Sequence, residues 1–207
     1  MKRVFCLILS LGLLFSIANL TMAEGALGVT DLMFSPTTKT LDPGQAGVAV
    51  NFTENNSSYF NFDLGLAKDL EVGLAAYHYP DDTDFSARVK FRLLHEKNDT
   101  PGLAVGIEDL GQDNVSPYLV LSKHFSDPGI DGYLGCGGGN FNGIFGGLDK
   151  AFYPEKGSAL TQVDLYVEVD DHNLNVGTKL SLGPQVKINL GMVNMDHWIM
   201  GATFLLK

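Results

Sequence analysis

The chain has 207 residues, enough for one domain, and its 24 Asp and Glu outnumber its 14 Lys and Arg, for a net charge of −10. That balance argues against a nucleic-acid partner, because phosphate binding needs clustered Lys and Arg. Cys6 falls in a leader-like segment, which leaves Cys136 without an internal partner and excludes a disulfide-stapled scaffold.

In chain order, Lys2 and Arg3 precede an almost wholly apolar stretch from Val4 to Ile17, and Thr21-Met22-Ala23 supplies the small residues of a cleavage site. This layout predicts a secretory signal peptide over residues 1–23. Cys6 lies inside the apolar stretch and not at the cleavage point, so a lipid-modified N-terminus is not expected. Without Lys2 and Arg3 the 14 basic residues fall to 12, against 24 acidic, and the exported chain carries −12. Residues 24–44 then form an N-terminal extension without periodicity.

From residue 45 to 207 the dominant signal is alternation with period two. Phe60, Phe62, Leu64 and Leu66 alternate with Tyr59, Asn61, Asp63 and Gly65. Phe85, Ala87, Val89 and Phe91 alternate with Ser86, Arg88, Lys90 and Arg92. The same holds for Val163 to Asp170, and for Val186, Ile188 and Leu190 against Lys187, Asn189 and Gly191. Successive strand side chains point to opposite faces, so each segment has one apolar and one polar face. Turn clusters rich in Gly, Pro, Asn, Asp and Ser separate the segments. Counting between them predicts about twelve strands of roughly 9–12 residues, with no gap long enough for a crossover helix, so neighbours pair antiparallel.

A soluble sandwich or closed barrel would turn the apolar faces inward, and a membrane barrel would turn them to lipid. Strand length favours the membrane form, since a tilted strand needs about 9–11 residues to cross hydrocarbon. So do the mixed charges of the polar faces. Arg88, Lys90 and Arg92 on one strand would meet Asp63, Glu71, Glu108, Asp164 and Glu168 from others in an enclosed lumen. An even strand count puts both termini at one mouth, and closure removes the sheet edges. The expected fold is therefore all-β: a closed antiparallel up-and-down transmembrane β-barrel of about twelve strands. The partner this implies is outer-membrane lipid. A secreted or periplasmic soluble β-domain that binds a ligand is the alternative.

Several runs resemble the YjbH family of outer-membrane proteins associated with exopolysaccharide production. Pro101 to Gly111 (PGLAVGIEDLG) and Tyr118 to Phe125 (YLVLSKHF) are similar to a strand–turn and a following strand of that family. Tyr133 to Gly137 (YLGCG) and Gly143 to Leu148 (GIFGGL) follow in the family's order, and Gly28 to Gly44, with Pro36-Thr37 and LDPG from Leu41, is similar to its N-terminal segment. The resemblance covers residues 25 to 150. It implies an accessory or structural role in production or export of exopolysaccharide or capsule, with surface polysaccharide or its export proteins as partners. A narrow outer-membrane channel of unrelated role is the other membrane reading. Members are commonly several times longer and many are lipoproteins, so roles of their additional domains do not transfer.

No catalytic, cofactor or metal site is expected. Asp81, Asp82 and Asp84 in one loop and Asp170-Asp171-His172 in another have the residue types by which some outer-membrane proteases activate water. Several strands separate the two loops, and solvated acidic turns account for both. The five histidines show no metal-ligand spacing. The Gly-rich run from Gly132 to Gly147 has no phosphate-binding pattern, and its glycines suit strand bending or room for lumen side chains. Arg88, Lys90 and Arg92 are expected chiefly to neutralise the acidic strands.

Overall fold

The computed structural model describes residues 28–155, 157–170 and 173–206. The expected signal peptide and the Asp171-His172 pair lie outside the described residues. Twelve strands follow in chain order: β1 (Ala46–Thr53), β2 (Ser58–Ala67), β3 (Leu70–His78), β4 (Thr83–Leu94), β5 (Gly102–Leu110), β6 (Ser116–Phe125), β7 (Ile130–Gly137), β8 (Gly143–Phe152), β9 (Leu160–Asp170), β10 (Asn173–Leu182), β11 (Val186–Val193) and β12 (His197–Leu206). Each pairs antiparallel with its chain neighbours. β1 pairs with β12 from Ala46 opposite Leu206 to Thr53 opposite Ile199, which closes the barrel. Both ends of the barrel domain lie at one mouth, here the near mouth. The β2–β3, β6–β7 and β10–β11 turns share it.

The two faces sort as a membrane barrel requires. Outward residues include Leu74 at 60% exposed, Phe85 at 70% and Ile144 at 73%, whereas the inward Asn61 and Asp63 are at 0% and Glu168 is at 1%. Val89 is exposed on the outer face, with Phe62, Val167 and Ile188 half-buried between their outer-face neighbours. Arg88 and Asp164 are buried inside. Exposed aromatics ring both ends of this apolar band, Phe52, Phe60, Phe85 and Trp198 toward the far mouth and Phe91, Phe125, Phe152 and Phe204 toward the near one. Such girdles mark the two interfaces of a membrane-spanning barrel.

Lumen glycines make room for large inward neighbours. Gly106 stands in register with Tyr118, Gly135 with Phe145 and Gly177 with Tyr166. A Cβ on Gly106 would fall within the Tyr118 ring, and one on Gly177 within that of Tyr166. The ring lying over bare backbone covers it and fixes the register of the pair. Hairpin turns use residues that tolerate positive φ, as Asp69 does at 64° in the two-residue β2–β3 turn.

Gly106→Val is expected to lower barrel stability in detergent by about 1–3 kcal/mol, the usual cost of overpacking a filled site. The unfolding midpoint in urea checks it against Gly183→Val, a turn position where a Cβ meets nothing, though its φ of 69° carries its own backbone cost.

Candidate functional site

The described part of the N-terminal extension, residues 28–44, does not lie outside the barrel. It enters the lumen at the near mouth, reaches up to the level of Met33 to Ser35 near the far mouth, and returns to Gly28 at mid-height. Met33 is 0% exposed, and Leu32, Met33 and Phe34 pack among Tyr59, Tyr77, Tyr133, Tyr166, Val193 and Ile199. Lower down, Val29 and Leu41 pack on Ala49. The segment fills the lumen as a plug.

A plug of irregular backbone inside a closed barrel meets a specific difficulty. The wall's own N–H and C=O groups are paired in its ladder, so the plug's buried N–H groups need side-chain acceptors. Wall carboxylates supply them at three heights. Glu168, near the far mouth, accepts from three consecutive backbone N–H groups, those of Met33 at 3.1 Å, Phe34 at 2.8 Å and Ser35 at 3.1 Å, and from Asn175 Nδ2 at 3.1 Å. Asp63, at mid-height, accepts from the Val29 N–H at 2.9 Å. Glu71, near the entry, accepts from the Leu41 N–H at 2.8 Å and from Thr30 Oγ1 at 2.9 Å. Bonds of this kind to an ionised acceptor are stronger than neutral ones.

Cations balance the acids. Arg88 makes a two-point pair with Asp63, Nε to Oδ1 at 2.8 Å and Nη2 to Oδ2 at 2.7 Å, and gives a third bond to Asn61 at 3.0 Å. Lys90 Nζ lies 2.5 Å from Asp31 Oδ1 of the plug, 2.7 Å from Thr30 Oγ1 and 3.6 Å from Glu71. Asp31 also accepts from the Thr37 N–H at 3.1 Å, and Lys179 donates to the Asp31 carbonyl. Thr38 and Ser122 share a hydroxyl–hydroxyl bond.

Of the eight charged residues expected in one lumen network, five come together around the plug: Arg88, Lys90, Asp63, Glu71 and Glu108, the last buried on β5 beside Arg88, Lys90 and Asp31. Glu168 is in the lumen, bound to peptide N–H groups instead of a cation. Asp164 faces a separate space near the other side, where Gln162 donates to it at 2.5 Å. Arg92 stands apart from the network. It is the last inward residue of β4 and pairs with Asp69 of the β2–β3 turn at 2.6 Å and 2.8 Å, at the near mouth. The Arg92 hydrogen bond holds the Asp69 carboxyl below its ordinary value of 3.8. Asp31, Lys179 and Lys187 also belong to the charged interior and were not among the expected residues. Strand parity places Lys179 and Lys187 inside; nothing in the pattern of residues 24–44 signals Asp31.

The acidic loop pair separates in space. Asp81 and Asp82 precede β4, Asp84 is its second residue, and Asp170 ends β9, five strands further round the twelve-strand ring. Asp170 accepts from Asn173 and Asn175. Among the described residues no cluster of His, Cys, Asp or Glu is arranged to hold a metal.

The plug does not fill the near mouth completely. A cavity of about 320 Å³ remains between it and β7 to β11, with Lys39, Asp131, Tyr133, Asp149, Tyr153, Asp164, Lys179 and Lys187 among its walls.

Outward apolar strands, a closed twelve-strand ladder and a charged interior define a β-barrel of the outer-membrane type. The chain is similar to a KdgM porin, with a TM-score of 0.56 at 10% identity over 77% of this chain and 98% of that one. A porin of Rhodopseudomonas blastica, a triple mutant, aligns with a TM-score of 0.36 at 16% identity over 73% of this chain and 56% of that one. No curated protein matches the chain. The model of the YjbH family, described as exopolysaccharide biosynthesis protein YbjH, matches residues 24–165, and the chain belongs to that family. The match takes in the plug and most of the wall that binds it, and every run that carried the resemblance.

Two outcomes follow from the site. Glu168→Ala removes the acceptor of three plug amides at about 1–3 kcal/mol each. Hydrogen exchange at Met33, Phe34 and Ser35 should therefore accelerate at least about tenfold while the strand amides stay protected. In the native protein the Asp69 carboxyl should titrate below 3.8 by NMR, and Arg92→Gln, which removes the largest cause of that depression, should raise it. Because folding depresses this group, its contribution to stability is present above pH 3.8 and fades as pH falls through the folded-state value.

Proposed function

We propose that this chain is an exported outer-membrane β-barrel, blocked by its own N-terminal segment, with an accessory or structural role in the production or export of exopolysaccharide or capsule. The observation that carries the reading is the polarity of the wall: apolar side chains outward on the strands, with Asp63, Glu71, Arg88, Lys90 and Glu168 enclosed around the plug. A water-soluble β-domain would put those charges outside. Membership of the YjbH family supports the link to exopolysaccharide. The partners proposed are outer-membrane lipid and the surface polysaccharide or its export proteins. An always-open channel fits less well, since Met33 and Phe34 stand across the lumen.

In the native host the protein should fractionate with the outer membrane, run with heat-modifiable mobility on gels, and its loss should lower surface polysaccharide. Recovery from the soluble periplasm would refute the membrane reading, and unchanged polysaccharide the pathway. In planar bilayers the full chain should conduct little. A variant lacking residues 28–41 should give discrete steps that favour cations, because the buried wall acids Asp63, Glu71, Glu108, Asp109, Asp164, Glu168 and Asp170 outnumber the inward wall cations Arg88, Lys90, Lys179 and Lys187.

A further inference from the structure

We infer that the near-mouth cavity is a binding site for a neutral polyhydroxylated ligand, one or two rings of a saccharide, held between the plug and the strands β7 to β11. The inference rests on the function proposed above and names the ligand class of the same lumen.

The cavity, at about 320 Å³, is at the lower end of the size range of small-molecule sites, about 300–1,000 Å³. Its lining is charged in both senses. Asp149 and Asp164 on adjacent strands face Lys187 of β11, and Lys39 of the plug lies 3.5 Å from Asp131 across the opening. Several of these groups are not spent on the fold. Asp149 Oδ1 is buried with no hydrogen-bond partner among the described residues. The ammonium of Lys187 is drawn electrostatically to Asp164 and Asp149, and among the described residues no hydrogen bond or ion pair holds it. Three of the acids higher or across in the lumen have dedicated donors: Asp63 has Arg88, Glu71 has Leu41 N–H, and Glu168 has three amides.

A hydroxyl both donates and accepts, so a polyol satisfies carboxylate and ammonium groups together and brings no charge that either sign repels. An acidic sugar would meet the aspartates, and a cationic one the lysines, at short range in a site of reduced dielectric. Tyr153, 74% exposed at the opening, presents a ring to the C–H face of a sugar, as amphipathic aromatics do in wet sites. Because Lys39, Thr37 and Leu41 form one side of the cavity, the plug is part of the site.

The test uses the full exported chain in micelles of a non-glycosidic detergent, so that no sugar headgroup competes. Maltotriose and cellotriose are the neutral probes and a trimer of galacturonic acid the acidic one, with binding read by saturation-transfer NMR and titration calorimetry. At least one neutral trimer should bind, the acidic trimer at least about tenfold more weakly, and both Asp149→Ala and Tyr153→Ala should weaken the neutral trimer about tenfold. Tyr153→Ala alters an exposed side chain and keeps the test valid if Asp149→Ala fails to fold, which heat-modifiable mobility reports. Failure of both neutral trimers to bind, equal or tighter binding of the acidic trimer, or affinity unchanged in Tyr153→Ala would overturn the inference. Each leaves the membrane location and the polysaccharide phenotype standing, since those are read in the host.

Discussion

The structure depends on how buried peptide groups are satisfied inside a wall that has none to spare. A closed antiparallel ladder uses up the hydrogen-bonding capacity of its backbone, and that is why it can cross a membrane at all. Any chain placed within it must then find acceptors among side chains. Glu168 meets this demand with one carboxylate on three consecutive amides, and Asp63 and Glu71 each accept one further plug amide lower in the lumen. The acids are needed for the plug, and the cations Arg88 and Lys90 are needed for the acids. Removing one member of such a buried group leaves an uncompensated charge, at about 3–5 kcal/mol.

The same constraint accounts for the glycines. A lumen that must hold long charged side chains, inward tyrosines and an extra length of chain has no room for a full complement of side chains. Gly73 lies in register with both Asp63 and Arg88, and Gly147 with both Glu168 and Tyr133. Large residues thus stand across from absent ones. Charge is also divided along the barrel axis. The far-mouth loops carry Glu54, Asp81, Asp82, Asp113 and Asp196 with no Lys or Arg among the described residues, whereas Lys68, Lys97, Lys123 and Lys150 lie toward the near mouth. The potential across the barrel is therefore asymmetric, and anions meet repulsion at one end.

The barrel was legible because strand parity is a local signal. Val186-Lys187-Ile188 and Phe91-Arg92-Leu93 each declare which residues share a face, and length together with mixed charge declares which face is enclosed. Parity does not give height along the axis, which is how Arg92 reads like Arg88 and Lys90 yet sits at the rim beside Asp69. The plug was not legible. Residues 24–44 have no period, and the groups that hold the plug come from far along the chain, 133 residues away for the Glu168–Ser35 bond. Its unusual content of buried Thr, Ser and Pro between apolar residues is intelligible only once acceptors surround it. Expecting pairing between lumen charges was reasonable, but the chief partner of Glu168 is peptide backbone, which leaves no trace in a list of charged residues.

The most direct test of the account is where the methyl group of Met33 lies in the folded protein. With Met33 labelled at Cε in micelles, nuclear Overhauser contacts to the Ile199 methyls and to the Gly191 α-protons are predicted, together with protection from a water-soluble relaxation agent. A sharp, solvent-relaxed Met33 resonance with no contact to β11 or β12 would contradict the plug, and with it the reason for the buried acids.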